Sequence, residues 1–210
     1  MKNLAAVIVL SYLAGALPFS YLAGKLLKGI DIRSYGSRNS GTANTVRVLG
    51  LKAGIAVLLL DFMKGFLSVM FIAELDIFSD SMLPLPYLRL AAFASAVIGH
   101  IYPVYIRFMG GKGVAAAAGC ASALYPLALP LCGTVFAAVF MKTRTVSAAS
   151  LSAVWTLSLS YPLLSIFFPP FNYSHELLFI TASLLISFRH RENIKRLFSK
   201  TESKINFDNN

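Results

Sequence analysis

Residues 36–50 form a polar interruption between two long apolar runs, and we call this stretch the polar loop. It contains three glycines, two serines, two threonines, two asparagines and two arginines. Backbone N–H groups in such turns can form a concave nest for an anion, and Arg38 and Arg47 add fixed positive charge. Ser, Thr and Asn are also common helix caps and turn formers. Two or three of them would serve that purpose, so the density of donors around the arginines predicts a site for a polyanionic ligand.

A second polar segment, residues 110–113, reads Gly-Gly-Lys-Gly, and we call it the glycine loop. It leads into an apolar run, so its N–H groups could gather near a helix N-terminus while Lys112 supplies a full charge. It fits equally well a tight turn between helices in which Lys112 only marks the cytoplasmic side. Neither loop is a nucleotide motif, because Lys112 is followed by Gly113 rather than Ser or Thr and no G-x-G-x-x-G is present.

A third polar cluster lies at Arg189, His190, Arg191 and Asn193. His190 is the stronger candidate for a functional histidine. The neighbouring cations disfavour its protonated form, and a contact with lipid headgroups is the alternative interpretation. We interpret His100, near a helix end, as a hydrogen-bonded packing residue.

Asp61 and Lys64 lie inside the second apolar run, three residues apart and therefore on one face of a helix. Charges within a membrane span are costly to bury and often functional, but a mutual pair equally fits a structural role. In both cases we expect the face that carries them to point into the helix bundle.

The elements that position these residues are apolar helices. Of 210 residues, 57% are hydrophobic and only 13% are charged, whereas about a quarter are charged in soluble domains. The apolar residues come in runs long enough to cross a membrane as helices. The predicted spans are residues 4–27, 52–73, 88–106, 113–125, 127–141, 146–168 and 175–188. The fourth and fifth are short because Tyr125, Pro126 and Pro130 interrupt them.

Charge predicts the topology of this all-α bundle. Lys and Arg dominate the connections after the first, third and fifth spans and the C-terminal segment, whereas Glu74, Asp76 and Asp80 follow the second span. Cytoplasmic loops carry excess Lys and Arg, so an odd number of spans, with seven expected, places the N-terminus outside and the C-terminus in the cytoplasm. All three polar clusters then share the cytoplasmic face. We expect one polytopic domain over residues 1–200 and a loosely ordered polar tail over 201–210.

Several classes of function are disfavoured. The net charge of +10 follows from this topology, and the aromatic residues lie mostly inside apolar runs, so nucleic-acid binding is not expected. Cys120 and Cys132 have no metal-ligand spacing. No Gly-x-Ser-x-Gly elbow is present, and no His is followed five residues later by Asp, as in common glycerolipid acyltransferases. The residues alone therefore predict a polytopic membrane protein with a cytoplasmic anion site.

Four segments together are similar to the bacterial acyl-phosphate:glycerol-3-phosphate acyltransferase family. These segments are GSRNSGTANTVRVLG at residues 36–50, DFMKG at 61–65, the stretch from Gly-His to Gly-Gly-Lys-Gly-Val-Ala at 99–115, and HRENIKRL at 190–197. The resemblance covers nearly the whole chain. Where the family usually has Gly, this chain has Arg38, which raises the question of the backbone conformation at that position. Thr42-Ala43 also replaces the commoner Ala-Thr.

The resemblance implies transfer of an acyl chain from acyl phosphate to the 1-hydroxyl of glycerol 3-phosphate, without metal or cofactor, at the bacterial cytoplasmic (inner) membrane. It implies catalytic roles for Lys112, His190 and Ser37. The implied phosphate contacts are Ser37, Asn39, Asn44, Arg47, Gly110, Gly111, Lys112, Gly113, His190 and Asn193, with Ser147 and Ser150 near the acyl phosphate. Expected partners are both substrates, membrane lipids and the enzyme that makes acyl phosphate. The alternatives are a transporter or channel for a phosphorylated metabolite and a non-catalytic lipid-binding membrane protein. A transporter should show a repeat that this chain lacks.

Overall fold

The structure is a computed structural model that describes residues 2–75, 83–167 and 172–205, and within them all regular structure is helical. The α-helices, in chain order, are α1 (Lys2–Ala16), α2 (Phe19–Lys28), α3 (Thr42–Leu49), α4 (Leu51–Met70), α5 (Leu85–Ile101), α6 (Val114–Leu124), α7 (Ala128–Thr143), α8 (Val146–Leu164), α9 (Tyr173–Arg189) and α10 (Arg191–Phe198). Short 3-10 turns occupy Ile32–Ser34, Ile72–Glu74 and Val104–Ile106. The all-α prediction is confirmed.

In the part of the chain that the structure describes, three helical segments are long and apolar enough to cross a membrane: Asn3–Lys28, Leu51–Glu74 and Leu85–Ile106. Val114–Leu124 and Ala128–Thr143 are apolar but shorter, which confirms that some spans are short. The outside N-terminus and cytoplasmic C-terminus stay predictions. The acidic connection used to predict that orientation lies partly outside the described residues, because 76–82 are not described.

The first predicted span, 4–27, is broken. Helix α1 ends at Ala16 and α2 begins at Phe19, so Leu17 and Pro18 lie between them. Proline has no N–H to continue the ladder and its ring clashes with the preceding turn, which accounts for the break. The break places the carbonyl group of Leu17 among the helices, where a side chain can reach it.

The chain divides into two compact units, an N-terminal unit (Met1–Leu124) and a C-terminal unit (Tyr125–Asn210). In the N-terminal unit, glycines let helix backbones approach closely. A Cβ at Gly15 would overlap the carbonyl of Ala96, so α1 and α5 are in backbone contact there. A Cβ at Gly119 of α6 would overlap the carbonyl of Phe62 in α4. Small residues at helix contacts are typical of membrane bundles, where lipid supplies no hydrophobic drive for association.

The C-terminal unit is built on α8, which packs against α7 and α9. Ser158 of α8 and Ser183 of α9 share a buried hydrogen bond of 2.8 Å. The Tyr161 ring packs edge-on against both Tyr125 and Phe179, with ring centroids 5.2 Å apart in each pair. These contacts pack the second half of α8 against α9, whereas the candidate residues of this unit lie in the first turns of α8 and around the start of α10.

Candidate active site

Asn44 organises the polar loop. Its side chain is 1% exposed, and its Oδ1 accepts hydrogen bonds from the backbone N–H and the hydroxyl of Ser37, at 2.7 and 3.2 Å. Its Nδ2 donates to the carbonyl groups of Ile32 and Tyr35, at 3.0 and 3.1 Å. Asn44 therefore shapes the loop from within, which agrees with the alternative interpretation of such residues as turn formers. Its contact with phosphate stays a prediction.

The last part of the polar loop is a helix that the sequence did not predict, α3. Thr45 of α3 donates to the carbonyl of Gly41 and shares a 2.8 Å hydrogen bond with Ser20 of α2. Lys28 donates to the carbonyl of Val48 at 2.8 Å and so caps the C-terminal end of α3. Helix α3 is thus tied to α2 at both ends. It carries Arg47, which is half-buried.

Arg38 adopts a left-handed backbone conformation, with φ of 58°. Glycine adopts this region readily, whereas a residue with a Cβ is destabilised there by about 1 kcal/mol. The Arg38 N–H donates to the carbonyl of Tyr35 at 3.0 Å, which closes the turn around it. The backbone at this position therefore has the conformation expected for the family's usual glycine, and the exposed Arg38 side chain is accommodated in it.

The glycine loop folds back onto the end of α5. The N–H groups of Gly110 and Gly111 donate to the carbonyls of Ile101 and His100, at 3.2 and 3.1 Å. The sequence predicted that these two N–H groups would contribute to an anion nest, and the structure instead uses them to close the turn. The predicted phosphate contact of this loop therefore rests on Lys112, Gly113 and the N-terminal end of α6.

The polar loop and the glycine loop meet within the N-terminal unit. A Cβ at Gly111 would lie 2.9 Å from the carbonyl oxygen of Ser40, so the two backbones are in contact. Arg33 joins the same regions, because its Nη2 binds Asp31 at 2.7 Å and its Nη1 donates to the Ile106 carbonyl at 2.9 Å. The hydrogen bond from Arg33 lowers the pKa of the Asp31 carboxyl, which stays ionised in this bridge. Two of the three predicted clusters are thus brought together.

Asp61 and Lys64 form a buried ion pair with Oδ1 and Nζ 2.7 Å apart. Their residues are 2% and 6% exposed, which confirms that the face carrying them points into the bundle.

In the C-terminal unit, three side chains bind the carboxylate of Glu202. Two of them, Ser147 and Asn193, were predicted as phosphate contacts, and the third is Arg196. Ser147 and Asn193 donate to its Oε1 at 2.8 and 2.6 Å, and the Arg196 Nε donates to its Oε2 at 2.8 Å. Ser147 and Asn193, predicted as phosphate contacts, are buried and come together here. Ser150 is also buried, one turn further along α8.

Glu202 was missed because residues 201–210 were predicted to be a loosely ordered tail. In the described part of that segment, Thr201 to Ile205, the chain is held at two points. Glu202 binds the cluster above, and the Ile205 N–H donates to the carbonyl of Arg144 at 2.9 Å while its side chain is buried. The signal in the sequence was Ile205, an apolar residue in a polar segment. Residues 206–210 lie outside the described residues.

The Glu202 carboxyl is ionised at neutral pH. Burial raises its pKa, but the hydrogen bonds from Asn193, Arg196 and Ser147 outweigh burial, so the pKa lies below its ordinary value of 4.5. A carboxyl whose pKa is lower in the folded than in the unfolded state stabilises the fold above its unfolded pKa. That stabilisation decreases as the pH falls below about 4.5 and is lost below the folded pKa.

Glu202→Gln is expected to lower the free energy of unfolding of the protein by about 2 kcal/mol at pH 7, because hydrogen bonds to a charged group contribute about 1.5–3 kcal/mol. Thermal unfolding in detergent measures the change, and the difference from wild type should shrink below about pH 4. Glu192→Gln is the matched control, since Glu192 lies exposed on α10 with ion pairs of only 3.6 and 3.7 Å. Equal melting temperatures for the two variants would contradict this account.

His190 lies at the junction of α9 and α10 and is 3% exposed. Its Nδ1 is 2.8 Å from the carbonyl oxygen of Ile186. A carbonyl oxygen can only accept, so Nδ1 carries a proton and contact with a substrate would involve Nε2. The ring is therefore oriented for that contact by its own helix. Among the described residues, no group of three or more His, Cys, Asp or Glu could hold a metal ion.

Comparisons of the sequence and of the structure with known proteins point to the same family. Residues 5–200 match the family model described as glycerol-3-phosphate acyltransferase. The chain is 40% identical over 199 residues to the glycerol-3-phosphate acyltransferase of Halalkalibacterium halodurans, covering 95% of this chain and 94% of that protein. It is 37% identical over 235 residues to that of Chlorobium phaeobacteroides, covering 99% and 98%.

Two solved structures are similar over nearly the full length. They are crystal structures of PlsY, an integral membrane glycerol 3-phosphate acyltransferase, in its glycerol 3-phosphate form and its lysophosphatidic acid form, with TM-scores of 0.83 and 0.81. Each is 33% identical to this chain and covers 98% of it and 96% of the solved chain. The matched family model, the full-length relatives and the shared membrane fold agree, and the chain belongs to the glycerol-3-phosphate acyltransferase family.

Proposed function

We propose that the protein transfers the acyl chain of acyl phosphate to the 1-hydroxyl of glycerol 3-phosphate, giving 1-acyl-glycerol 3-phosphate and inorganic phosphate. The observation that carries this proposal is the full-length structural match to an acyltransferase solved with glycerol 3-phosphate and in a lysophosphatidic acid form. Those two molecules correspond to acceptor and product of this reaction. The donor is inferred from the family resemblance of the sequence.

An acyl phosphate fits the chemistry of the candidate residues. It is a mixed anhydride with a good leaving group, so the acceptor hydroxyl can attack the carbonyl carbon without an enzyme nucleophile. The C–O bond to the acceptor forms first, the C–O bond to the phosphate then breaks, and the phosphate leaves with the electron pair. The protein then has to position two phosphate groups and stabilise the charge that develops.

The N-terminal unit offers Lys112 and Arg47 as cations and Asn39 as a hydrogen-bond donor for phosphate. Ser150, His190 and Asn193 have the donor role in the C-terminal unit. Ser37 and Ser147 are further proposed phosphate contacts, and their hydroxyls would have to turn from Asn44 and Glu202 toward the substrate. Negative charge develops first on the carbonyl oxygen and then on the departing phosphate. A preorganised cation such as Lys112 stabilises that charge more in the transition state than in the ground state.

The acceptor hydroxyl must lose a proton, and two groups could take it. One is Nε2 of His190, and the other is the phosphate of glycerol 3-phosphate itself. We favour the substrate phosphate, because Nδ1 of His190 is held by the Ile186 carbonyl and not by a carboxylate of the kind that supports a histidine base. His190 then binds the acceptor rather than acting as its base.

His190→Ala is expected to raise KM for glycerol 3-phosphate about tenfold, with a smaller change in kcat, because it removes a binding contact made in ground and transition state alike. Steady-state kinetics with varied glycerol 3-phosphate measures the two constants. His175→Ala is the matched control, since His175 lies near the start of the same helix, α9. A collapse of kcat at unchanged KM would instead identify His190 as the base.

The function is tested with the purified protein in detergent, supplied with glycerol 3-phosphate and one acyl donor at a time. Acyl phosphate should give equal amounts of lysophosphatidic acid and inorganic phosphate. Acyl-CoA and acyl-carrier-protein should give neither. Absence of both products with acyl phosphate would refute the proposed function, and activity with acyl-CoA would refute the proposed donor.

We place the reaction at the cytoplasmic face of the bacterial inner membrane, which the concentration of Lys and Arg in the connections supports. Acyl phosphate hydrolyses readily as a mixed anhydride. Supply by a nearby enzyme that makes it would therefore suit this protein.

A further inference from the structure

Three titratable side chains that the proposed reaction does not use are buried together in the N-terminal unit. They are Asp61 and Lys64 of α4 and His100 of α5, which we call the buried charge cluster. Asp61 is 2% exposed, and Lys64 and His100 are each 6% exposed. Moving a charged group from water into the protein interior costs roughly several kcal/mol per ion. Only close ion pairing and hydrogen bonding offset that cost. The positions of these groups therefore call for an explanation beyond neutralisation.

Lys64 connects the cluster to the break between α1 and α2. Its Nζ lies 2.7 Å from Asp61 Oδ1 and donates to the carbonyl of Leu17 at 2.8 Å. The ammonium group also lies 5.4 Å from the ring centre of Phe19, at the start of α2. Lys64 thus satisfies a carbonyl that the Pro18 break exposes, and it fixes α4 against the segment that leads to the polar loop.

His100 connects the cluster to the glycine loop. Its Nδ1 lies 3.5 Å from Asp61 Oδ1, and the opposite edge of its ring lies against Gly111. A Cβ at Gly111 would overlap Nε2 of His100, so the imidazole fills the space beneath that backbone. The His100 carbonyl also accepts the Gly111 N–H. One residue therefore holds the glycine loop by its ring and by its backbone.

The contacts form a continuous path from Leu17 through Lys64, Asp61 and His100 to Gly111. Asp61, Lys64, His100, Gly110 and Gly111 also line one small cavity together with Ser40 of the polar loop. Lys112 directly follows Gly111, so a displacement of the loop by the width of one atom would move its ammonium group by a comparable distance. Misplacement of a substrate-binding group by about 1 Å can cost a factor of about 100 in rate.

We propose that Asp61, Lys64 and His100 are positioning residues. They fix the backbone of the glycine loop relative to α4 and α5 and thereby place Lys112 for contact with a phosphate of the substrate. This inference rests on the proposed function for its effect on catalysis. The positioning of the loop itself is a property of the folded chain. The two statements are therefore tested by different measurements.

Hydrogen exchange measures the positioning without any substrate. In the full-length protein in lipid nanodiscs, the N–H groups of Gly110 and Gly111 should exchange slowly in wild type. His100→Asn keeps a polar group toward Asp61 but removes the ring edge that supports Gly111, and it should speed exchange of these groups by about tenfold. In His100→Gln the longer side chain places its amide near the position of the wild-type Nε2. This variant should restore much of the protection of the Gly110 and Gly111 N–H groups from exchange. Unchanged exchange in His100→Asn overturns the proposal, whatever the activity.

Kinetics measures the consequence for substrate. The double variant Asp61→Asn with Lys64→Met removes both charges at similar volume, but it also leaves the Leu17 carbonyl without its donor. If the pair were only structural, this variant would melt at a lower temperature but would turn over like wild type while folded. We expect the lower melting temperature together with a fall of about tenfold or more in kcat, because Lys112 is displaced. Wild-type KM and kcat in the double variant would overturn the positioning role.

The matched control is the Arg89–Glu74 ion pair, 2.5 Å long, which joins α5 to the turn that follows α4 away from the glycine loop. Glu74→Gln with Arg89→Met removes the same kinds of charge and should leave kcat, KM and loop exchange unchanged. Should wild type itself show no acyl transfer, the proposed function fails, and hydrogen exchange still decides the positioning of the loop.

Discussion

Replacing Lys112 with methionine is expected to lower kcat/KM for acyl transfer by about 10²–10³-fold, the usual cost of removing one preorganised group that stabilises developing charge. Lys112 follows a turn closed by Gly110 and Gly111, and only Gly113 separates it from α6, so its backbone position is fixed from both sides. Methionine keeps the length of the side chain and removes the charge. The loss should appear mainly in kcat, because the charge develops as the phosphate leaves.

The measurement is initial-rate kinetics in detergent with acyl phosphate and glycerol 3-phosphate both varied. Lys52→Met is the matched control, since Lys52 is an exposed lysine in the first turn of α4 in the same unit, and its activity should equal that of wild type. Lys112→Arg retains the charge with a different geometry and should retain more activity than methionine. Full activity in Lys112→Met would remove Lys112 from the site.

Asn44→Ala is expected to lower the free energy of unfolding by about 3 kcal/mol or more, because each buried polar group left without a partner costs about 1–3 kcal/mol. The substitution removes the acceptor for the Ser37 N–H and the donor for the carbonyls of Ile32 and Tyr35. The polar loop would lose the side chain around which it turns. We therefore expect acyl transfer to fall by about 100-fold as well, the cost of misplacing groups that bind substrate.

Thermal unfolding and acyl-transfer rates test the two effects separately. Asn44→Asp is the informative second variant, because it keeps the acceptor for Ser37 but faces the Ile32 and Tyr35 carbonyls with an oxygen. It should be at least as damaging as alanine. Asn172→Ala serves as control, since Asn172 only caps α9 through the Ser174 N–H and should cost about 1 kcal/mol without loss of activity. An active, stable Asn44→Ala protein would show that the loop does not depend on this side chain.

The long apolar helices could be predicted from the sequence because spans of this length leave a strong compositional signal. Helix α3 could not. Four of its eight residues are polar, and the helix is too short for its apolar residues to form a recognisable run. It is held by hydrogen bonds to α2 through Thr45 and Lys28 and by close packing of Val46 on Gly54 of α4. The break after Ala16 was visible as Pro18 but was outweighed by the continuous hydrophobicity around it.

The composition of the two loops indicated anion chemistry, but it did not show how individual groups are used. The Gly110 and Gly111 N–H groups close a turn on α5, and Asn44 forms its hydrogen bonds inside the polar loop. A count of donors cannot distinguish groups that face a ligand from groups that hold the chain, because both functions need the same residue types. Glu202 escaped prediction because a glutamate in a polar segment carries no sign of a buried contact, and because one of its partners, Ser147, lies 55 residues earlier in the chain.

The contact between Ser147, Asn193 and Glu202 has a consequence for how the protein is made. Glu202 follows Ser147 by 55 residues and Asn193 by nine, so a growing chain carries both hydrogen-bond donors before their common acceptor exists. Domains generally begin to fold during synthesis, at about 5–20 residues per second. The arrangement of the C-terminal unit is therefore completed only when translation has passed residue 202. Products of early termination would reach the membrane with their helices but without this arrangement.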